Sequence, residues 1–368
     1  MGSVRLFVAM AAAPLFAQVV PPQEAKASPA PFADVARQST PTFSKTVTPE
    51  MRADILVARK MYREAIDSYK QAPESAVVLN KIGIAYHQLL DLEAARKYYE
   101  RALKLDKQYA EAINNLGTIA LNGAGATTEL ELIQHGITLQ GGGQVTLSDS
   151  GANVIIGTAP DVTLTNADNT ISGAGLIGGS QLTLVNSGTI IATGANGLLI
   201  DTGANILVNG GTLEATGSGG LDIAGDVANN GSLWADGGNI TIHGAVTGNG
   251  NALIDHGATI EFGGASSVNA IFAANETGTL MLDNALGFTG TVAGFAAGSQ
   301  IDLGDIQASS AVLSFADNGA GTGGTLTVSD GTHTANVALV GSFDAAGFHL
   351  DPDHALGVVI TYSDHLLP

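Results

Sequence analysis

The stretch NSGTIIATG, residues 186–194, returns as NGGTLEATG at 209–217 and as NNGSLWADG at 229–237. Each copy opens with an Asn/Gly turn and then alternates apolar with polar or small side chains, which is the period of a β-strand. Turn residues that recur at this nearly constant spacing predict one repeated structural unit built of short strands.

A second series of short apolar segments runs through the same region and advances by about 19.5 residues per step between Val145 and Ile301. The Asn-led stretches lie out of phase with this series, so they predict a further strand in the same coil. The segments are Val145-Thr146-Leu147, Val162-Thr163-Leu164, Leu182-Thr183-Leu184, Ile206, Leu221-Asp222-Ile223, Ile240-Thr241-Ile242, Ile260-Glu261-Phe262, Leu280-Met281-Leu282 and Ile301-Asp302-Leu303.

Two or three short strands with tight turns per roughly 20 residues are typical of a β-solenoid, in which each coil stacks on the one before. Nine coils about 4.8 Å apart predict a rod of roughly 40 Å. We expect aliphatic side chains to fill its interior and stacked Asn side chains at the turns to share amide hydrogen bonds. The competing fold is an antiparallel β-sandwich; the variable spacing and the repeated turn composition favour the solenoid.

The charges divide the chain into two parts. Lys107 is the last of 15 Lys and Arg residues, whereas acidic residues continue to Asp364 and bring the net charge of the 368 residues to −19. Of the 48 glycines, 45 follow residue 121. An acidic segment without cations cannot neutralise phosphates, which argues against binding to nucleic acid or anionic lipid. The absence of Cys excludes disulfides and thiolate metal sites and leaves the redox compartment open.

Residues 48–121 have the apolar spacing of helices. Thr48-Pro49-Glu50 predicts a helix start, with an N-cap, a Pro at the first helical position and an early acid. Small side chains at Gly83 and Ala95 predict that two helices approach closely, with tyrosines filling the space beside them. The positions Leu79, Ile82 and Gly83 recur 34 residues later as Ile113, Leu116 and Gly117.

This period and these positions resemble the tetratricopeptide repeat, most specifically over residues 76–109. Two departures from the family pattern are Lys107, where proline is usual, and Ala120, where tyrosine is expected. The last repeat therefore has only its first helix, and we expect the adjoining β region to cover this unpaired fifth helix.

The resemblance implies a protein-binding scaffold whose concave face holds a peptide or a partner helix. Asn80, Asn114 and Asn115 are the polar residues expected near that face. The alternative is that so short an array serves only as a spacer or as an N-terminal cap for the β region.

After residue 305 the strands become closely spaced, and 306–368 predicts a terminal β unit that covers the open end of the rod. The stretches 287–306 and 323–343 resemble repeat modules of very large secreted surface proteins of Gram-negative bacteria, and the region from about residue 136 resembles an adhesin or autotransporter-passenger β-helix. That resemblance implies surface display, adhesion or matrix building, and it carries no catalytic motif.

The N-terminus predicts a secretory leader. One positive charge precedes the apolar run 6–17, which is too short to span a bilayer, and the candidate cleavage sites follow Ala17 and Ala27. No later stretch predicts a transmembrane helix. We therefore expect a secreted or cell-surface protein, in preference to a periplasmic one.

The enzyme alternative is a polysaccharide hydrolase on a β-helix. Such enzymes need clustered carboxylates, and Asp201, Asp222, Asp236 and Asp255 are the residues that stacking could bring together. Solvated turn acids are the simpler interpretation. No catalytic residue, cofactor or metal site is assigned; the Asp351-Pro352-Asp353-His354 and Asp255-His256 clusters leave calcium as a possibility, although calcium needs six or more oxygens.

Together these patterns predict an α + β multidomain protein: a leader (1–27), a linker (28–47), helical repeats (48–121), a β-solenoid or parallel β-helix (122–305) and a terminal β unit (306–368). The predicted function is structural or adhesive and not enzymatic. Its expected partners are a protein or peptide at the helices, and a surface glycan or a second copy along the rod. The abrupt change at residues 121–123 also leaves open an artificial fusion.

Overall fold

The computed structural model describes residues 4–7, 48–89, 91–107, 109, 112, 118–123, 126–133, 136–353 and 357–363. The predicted linker and most of the predicted leader fall outside these ranges. Residues 4–7 form strand β1 (Val4–Phe7), which pairs in parallel with residues 128–131 at one edge of the β region.

Among the described residues, four helices lie between β1 and the rest of the β region. Hydroxyl and carboxylate caps start three of them: the side chains of Thr48, Ser75 and Asp91 accept hydrogen bonds from backbone N–H groups three residues later. The predicted helix start at Thr48 is therefore confirmed. No helix among the described residues is long and apolar enough to cross a membrane. The helices are α1 (Pro49–Ala58), α2 (Tyr62–Tyr69), α3 (Ala76–Gln88) and α4 (Leu92–Leu105).

A glycine–tyrosine contact joins α3 to α4. A Cβ atom placed on Gly83 would lie 2.4 Å from the ring of Tyr99, and both Ala95 and Tyr99 are buried at 1% exposure. The small residues thus permit the close helix approach that the sequence predicts, and the tyrosine ring fills the space they leave.

The β region is a solenoid of about seven turns. Its three walls are sheets whose strands pair in parallel, except among the C-terminal strands. Within the described residues, sheet A and sheet B have 12 strands each and sheet C has six. Sheet A contains, in spatial order, β1, β3 (Thr128–Leu132), β6 (Asn153–Gly157), β9 (Gly175–Gly178), β12 (Leu198–Ile200), β15 (Leu221–Ile223), β18 (Ile240–Ile242), β21 (Thr259–Phe262), β23 (Thr279–Leu282), β25 (Gln300–Leu303), β30 (Val358–Tyr362) and β29 (Phe348–Pro352).

Sheets B and C complete the turns up to β19 (Val246–Thr247), and in these turns the chain passes from A to C to B; beyond β19 the described part of this third wall, sheet C, continues only as isolated bridges at Ser266 and Phe288. Sheet C contains β4 (Gly136–Leu139), β7 (Thr163–Asn166), β10 (Thr183–Asn186), β13 (Leu207–Asn209), β16 (Val227–Asn229) and β19 (Val246–Thr247). Sheet B contains β2 (Thr118–Leu121), β5 (Gln144–Leu147), β8 (Thr170–Gly173), β11 (Thr189–Ala192), β14 (Thr212–Ala215), β17 (Ser232–Asp236), β20 (Asn251–Asp255), β22 (Asn269–Phe272), β24 (Thr291–Ala293), β28 (Thr334–Val340), β27 (Gly323–Ser329) and β26 (Val312–Asp317).

Two sequence-based details need correction. The nine apolar segments do not mark nine successive turns of one wall, because the first lies in sheet B, those at 162–206 lie at sheet C, and those from 221 lie in sheet A. The helical segment also does not extend to residue 121: Thr118–Leu121 form β2, which pairs with β5, and Leu121 is buried in the solenoid core. The repeat positions Ile113, Leu116 and Gly117 lie outside the described residues.

A ladder of buried Asn side chains confirms the predicted amide stacking at the turns. Asn166, Asn186, Asn209 and Asn229 end successive strands of sheet C, and each is fully buried. Each Nδ2 donates to the Oδ1 of the next Asn, at 2.8, 2.8 and 2.7 Å. The amides also donate to backbone carbonyls, as Asn186 does to Thr212, so polar groups inside an aliphatic core are hydrogen-bonded.

The C-terminal strands extend two walls of the solenoid, in agreement with the predicted terminal β unit. β28 pairs in parallel with β24 and continues into the antiparallel strands β27 and β26, whereas β30 pairs antiparallel with β25 and with β29. Four aromatic rings cluster between these two groups with centroids 5.0–5.9 Å apart: Phe315, Phe343, Phe348 and Tyr362.

Candidate functional site

An open groove of about 670 Å³ lies on the helical segment. It is formed by α2, by the end of α3 and by the residue that caps α4. Its lining mixes cationic, acidic, aromatic and aliphatic side chains. The lining residues are Arg63, Ile66, Asp67, Lys70, Tyr86, Leu89 and Asp91.

A row of alternating cations and aromatic rings begins at Lys70 and Tyr86 in this groove and continues beyond its lining to Tyr98 and Arg101. Lys70 Nζ lies 5.7 Å from the ring centroid of Tyr86 and 3.3 Å from its hydroxyl, and this hydrogen bond is the main cause that raises the pKa of Lys70. The Tyr86 ring stacks on Tyr98 at 5.4 Å, and Arg101 lies 5.0 Å from the ring centroid of Tyr98. These contacts hold the cationic groups against the aromatic faces.

The three Asn residues expected near the binding face are placed as follows. Asn80 lies in α3 with only 3% of its surface exposed, and it does not line the groove described above. Asn114 and Asn115 lie outside the described residues. Their role in binding a partner stays a prediction. Sequence reasoning missed the groove itself, because Lys70 and Tyr86 lie on two helices and no single helical period connects them.

The solenoid lies against α4. A Cβ atom on Gly142 would lie 3.4 Å from the Cδ atom of Arg96, and a cavity of about 260 Å³ separates this part of α4 from β8 and β11. Asp168 accepts hydrogen bonds from the N–H groups of Gly141 and Gly142, which shapes the turn facing the helix. The β region therefore contacts α4. Most of the predicted fifth helix, which we expected the β region to cover, falls outside the described residues, and residues 118–121 form β2.

The four candidate aspartates separate into three places. Asp236 and Asp255 are paired in register on β17 and β20, and His256 Nδ1 lies 2.6 Å from Asp236 Oδ1 and 3.3 Å from Asp255 Oδ1. Asp222 lies on sheet A, 3.0 Å from His243, and Asp201 accepts a hydrogen bond from Ser180. Only Asp236 and Asp255 are brought together as the stacking argument required.

The surroundings of His256 and of the nearby Glu214 raise the pKa values of both side chains. The hydrogen bond to Asp236, followed by the charge of Asp255, raises the pKa of His256. Burial, and then the charge of Asp236, raises the pKa of Glu214 on the preceding strand β14. The sequence contained a signal for this cluster, since Asp236 precedes Asp255 by one coil, but adjacency along the chain links His256 only with Asp255.

A separate acidic group lies on the outer face of sheet A near the C-terminal strands. Burial, and then the charges of Asp353, Asp283 and Glu261, raises the pKa of Asp302 to about 6. The Oδ1 atom of Asp302 is buried without a hydrogen-bond partner. This carboxyl group therefore resists ionisation in the folded protein.

The described residues thus form a segment of short helices with an open groove, joined to a β-solenoid. Residues 76–109 match the family described as Tetratricopeptide repeat, which confirms the middle repeat at the boundaries that the sequence predicts. No curated protein matches the chain.

Proposed function

We propose that this is a non-enzymatic, secreted or cell-surface structural protein that docks a protein partner through its helical repeats and presents it on an acidic β-solenoid rod. The observation that carries the docking part is the open groove between α2 and the end of α3, which combines Lys70 and Tyr86 with the apolar Ile66 and Leu89. Because its lining also carries Arg63, Asp67 and Asp91, the groove favours a peptide with charged side chains of both signs beside an apolar anchor, and an acidic side chain of that peptide would pair with Lys70.

The rod supports the structural part of the proposal. Its walls share one continuous aliphatic core that runs from Leu121 to Tyr362. The Asn ladder adds directional hydrogen bonds between successive turns. Such a body is stiff along its length, since each turn is joined to its neighbours by both packing and hydrogen bonds. Stiffness of this kind suits display or surface contact, including contact with a glycan or a second copy.

The docking part is tested with a displayed peptide library selected on the full chain. We expect selected peptides to bind at least about 10-fold more weakly to Lys70→Glu, because reversing the charge in the groove costs more than 1.4 kcal/mol. The matched control is Lys97→Glu, since Lys97 is an exposed α4 residue outside the groove lining. Peptides that bind both variants equally would contradict docking in this groove.

The location is tested by expressing the full chain in a Gram-negative host. We expect the mature protein in the extracellular or surface fraction, with an N-terminal sequence that begins after residue 17 or 27. Such cleavage removes β1 from the edge of sheet A. Retention of an uncleaved chain in the cytoplasm would contradict this part of the proposal and leave the docking result intact.

Polysaccharide hydrolysis is the alternative function, and the approach of Asp236 to Asp255 is the observation that keeps it in view. A glycan-degradation screen of the full chain and of the Asp201→Asn, Asp222→Asn and Asp255→Asn variants separates the two proposals. Activity that falls on substitution would favour the hydrolase.

A further inference from the structure

Asp236, Asp255 and His256 form a cluster of three potential metal ligands at the end of two neighbouring strands of sheet B. One ligand atom from each residue lies within 4.8 Å of the other two. The backbone directs them there: Asp236 and Asp255 are register partners on β17 and β20, so their carboxylates point the same way from adjacent coils. His256 has a φ of 51° and the following Gly257 a φ of 77°, and this turn brings the imidazole over Asp236.

The spacing of these atoms suits a small divalent ion. In a tetrahedral site with bonds of about 2.0 Å, ligand atoms lie about 3.3 Å apart. The separation of His256 Nδ1 from Asp255 Oδ1 is 3.3 Å, and its separation from Asp236 Oδ1 is 2.6 Å. The latter contact is a hydrogen bond in the ion-free protein, and an opening of less than about 1 Å converts it to the ligand spacing.

The chemistry of the ligands selects the class of ion. Calcium and magnesium prefer shells made entirely of oxygen, whereas an imidazole nitrogen with two carboxylates suits zinc and its first-row neighbours. The negative charge of the region also favours the binding of a cation. The sequence contains no Lys or Arg after Lys107, and Glu214 lies on the preceding strand of the same sheet. A cation from solution therefore relieves repulsion that the solenoid itself cannot neutralise with Lys or Arg.

We propose that Asp236, Asp255 and His256 bind one first-row divalent transition-metal ion, with Zn²⁺ as the best-fitting member. Three protein ligands leave at least one coordination position for water or for a donor from a second molecule. The His256 side chain is 61% exposed, so a donor from solution can reach the cluster. The site thus gives the rod a metal-dependent contact point that is separate from the groove on the helices.

Isothermal titration of the full chain with Zn²⁺ after chelator treatment tests the proposal. We expect the His256→Asn and Asp236→Asn variants each to bind one Zn²⁺ fewer per chain than the unaltered protein, or to bind that ion at least about 100-fold more weakly, since even outer-shell changes cost roughly 10- to 100-fold. Asn is the chosen replacement at position 256 because it tolerates a left-handed backbone. Fluorescence of Trp234 and far-UV circular dichroism verify that each variant is folded.

The matched control is His243→Asn. His243 forms a similar exposed pair with Asp222 at 3.0 Å but does not belong to the three-ligand cluster, so its substitution is expected to leave the Zn²⁺ stoichiometry unchanged. Zn²⁺ binding that survives both His256→Asn and Asp236→Asn would overturn the proposal. So would Ca²⁺ binding as tight as that of Zn²⁺ and independent of His256, because the ligands would then be carboxylates alone.

Discussion

Substitution of Asn209 by Ala tests the contribution of the Asn ladder to stability. Asn209 lies in the middle of the ladder, fully buried, where its Oδ1 accepts from Asn186 at 2.8 Å and its Nδ2 donates to Asn229 at 2.7 Å. After truncation, Asn186 Nδ2 retains the carbonyls of Gly188 and Thr212 as acceptors. The Oδ1 atom of Asn229 loses the donor described for it and remains buried.

The expected loss follows from these contacts. An unpaired buried acceptor costs about 1–3 kcal/mol, and each net hydrogen bond lost adds about 1 kcal/mol. We therefore expect Asn209→Ala to lower the free energy of unfolding by about 3 kcal/mol, a large part of the roughly 5–15 kcal/mol available to a folded domain.

Urea unfolding followed by Trp234 fluorescence measures this change, since Trp234 is the only tryptophan of the chain and lies on the next coil. Asn230→Ala is the matched control: Asn230 is exposed and neighbours a ladder residue, so its substitution is expected to change stability by less than about 0.5 kcal/mol. A loss below about 1 kcal/mol for Asn209→Ala, or equal losses for the two variants, would refute the reasoning.

Three further substitutions probe other parts of the molecule. Gly83→Val overpacks the contact with Tyr99 and is expected to destabilise the helical segment by about 1–3 kcal/mol, measured as loss of helical circular dichroism on heating. Asp302 has a pKa of about 6 in the folded protein against an ordinary 3.8, so the free energy of unfolding falls as pH rises through this interval. We therefore expect Asp302→Asn to have a higher melting temperature than the unaltered chain at about pH 7.5 and the same melting temperature below about pH 4. Phe348→Ala breaks the C-terminal aromatic cluster and is expected to cost about 3–5 kcal/mol and to speed hydrogen exchange in β26–β30, whereas Val312→Ala, at a side chain 69% exposed, leaves exchange unchanged.

Local patterns in the sequence predicted much of the fold. The alternation in 186–194, 209–217 and 229–237 identified strands β11, β14 and β17, because inward and outward side chains must alternate on a solenoid wall. The recurrence of Asn at the start of those turns likewise predicted the amide stacking. The sequence could not assign each triplet to its wall, since a 19- to 23-residue coil with three similar strands gives the same spacing whichever wall is counted.

The candidate sites were less accessible to sequence reasoning. The groove on the helices depends on how the side chain of Lys70 meets Tyr86 across two helices, which a helical period does not determine. The partnership of His256 with Asp236 depends on coil length and on a left-handed turn at a residue other than Gly. Both sites arise from tertiary contacts. The sequence shows which residue types are present, but it does not show that they lie next to one another in the fold.

Distances between spin labels along one wall test the solenoid most directly, and the absence of native cysteine allows labels at chosen sites alone. Gln144, Thr170, Thr189, Thr212, Ser232 and Asn251 are successive register partners in sheet B. At about 4.8 Å per coil, labels at 170 and 251 are expected about 19 Å apart and labels at 144 and 251 about 24 Å apart. Equal separations for the two pairs, or broad distributions without a maximum near these values, would contradict parallel coils stacked in register.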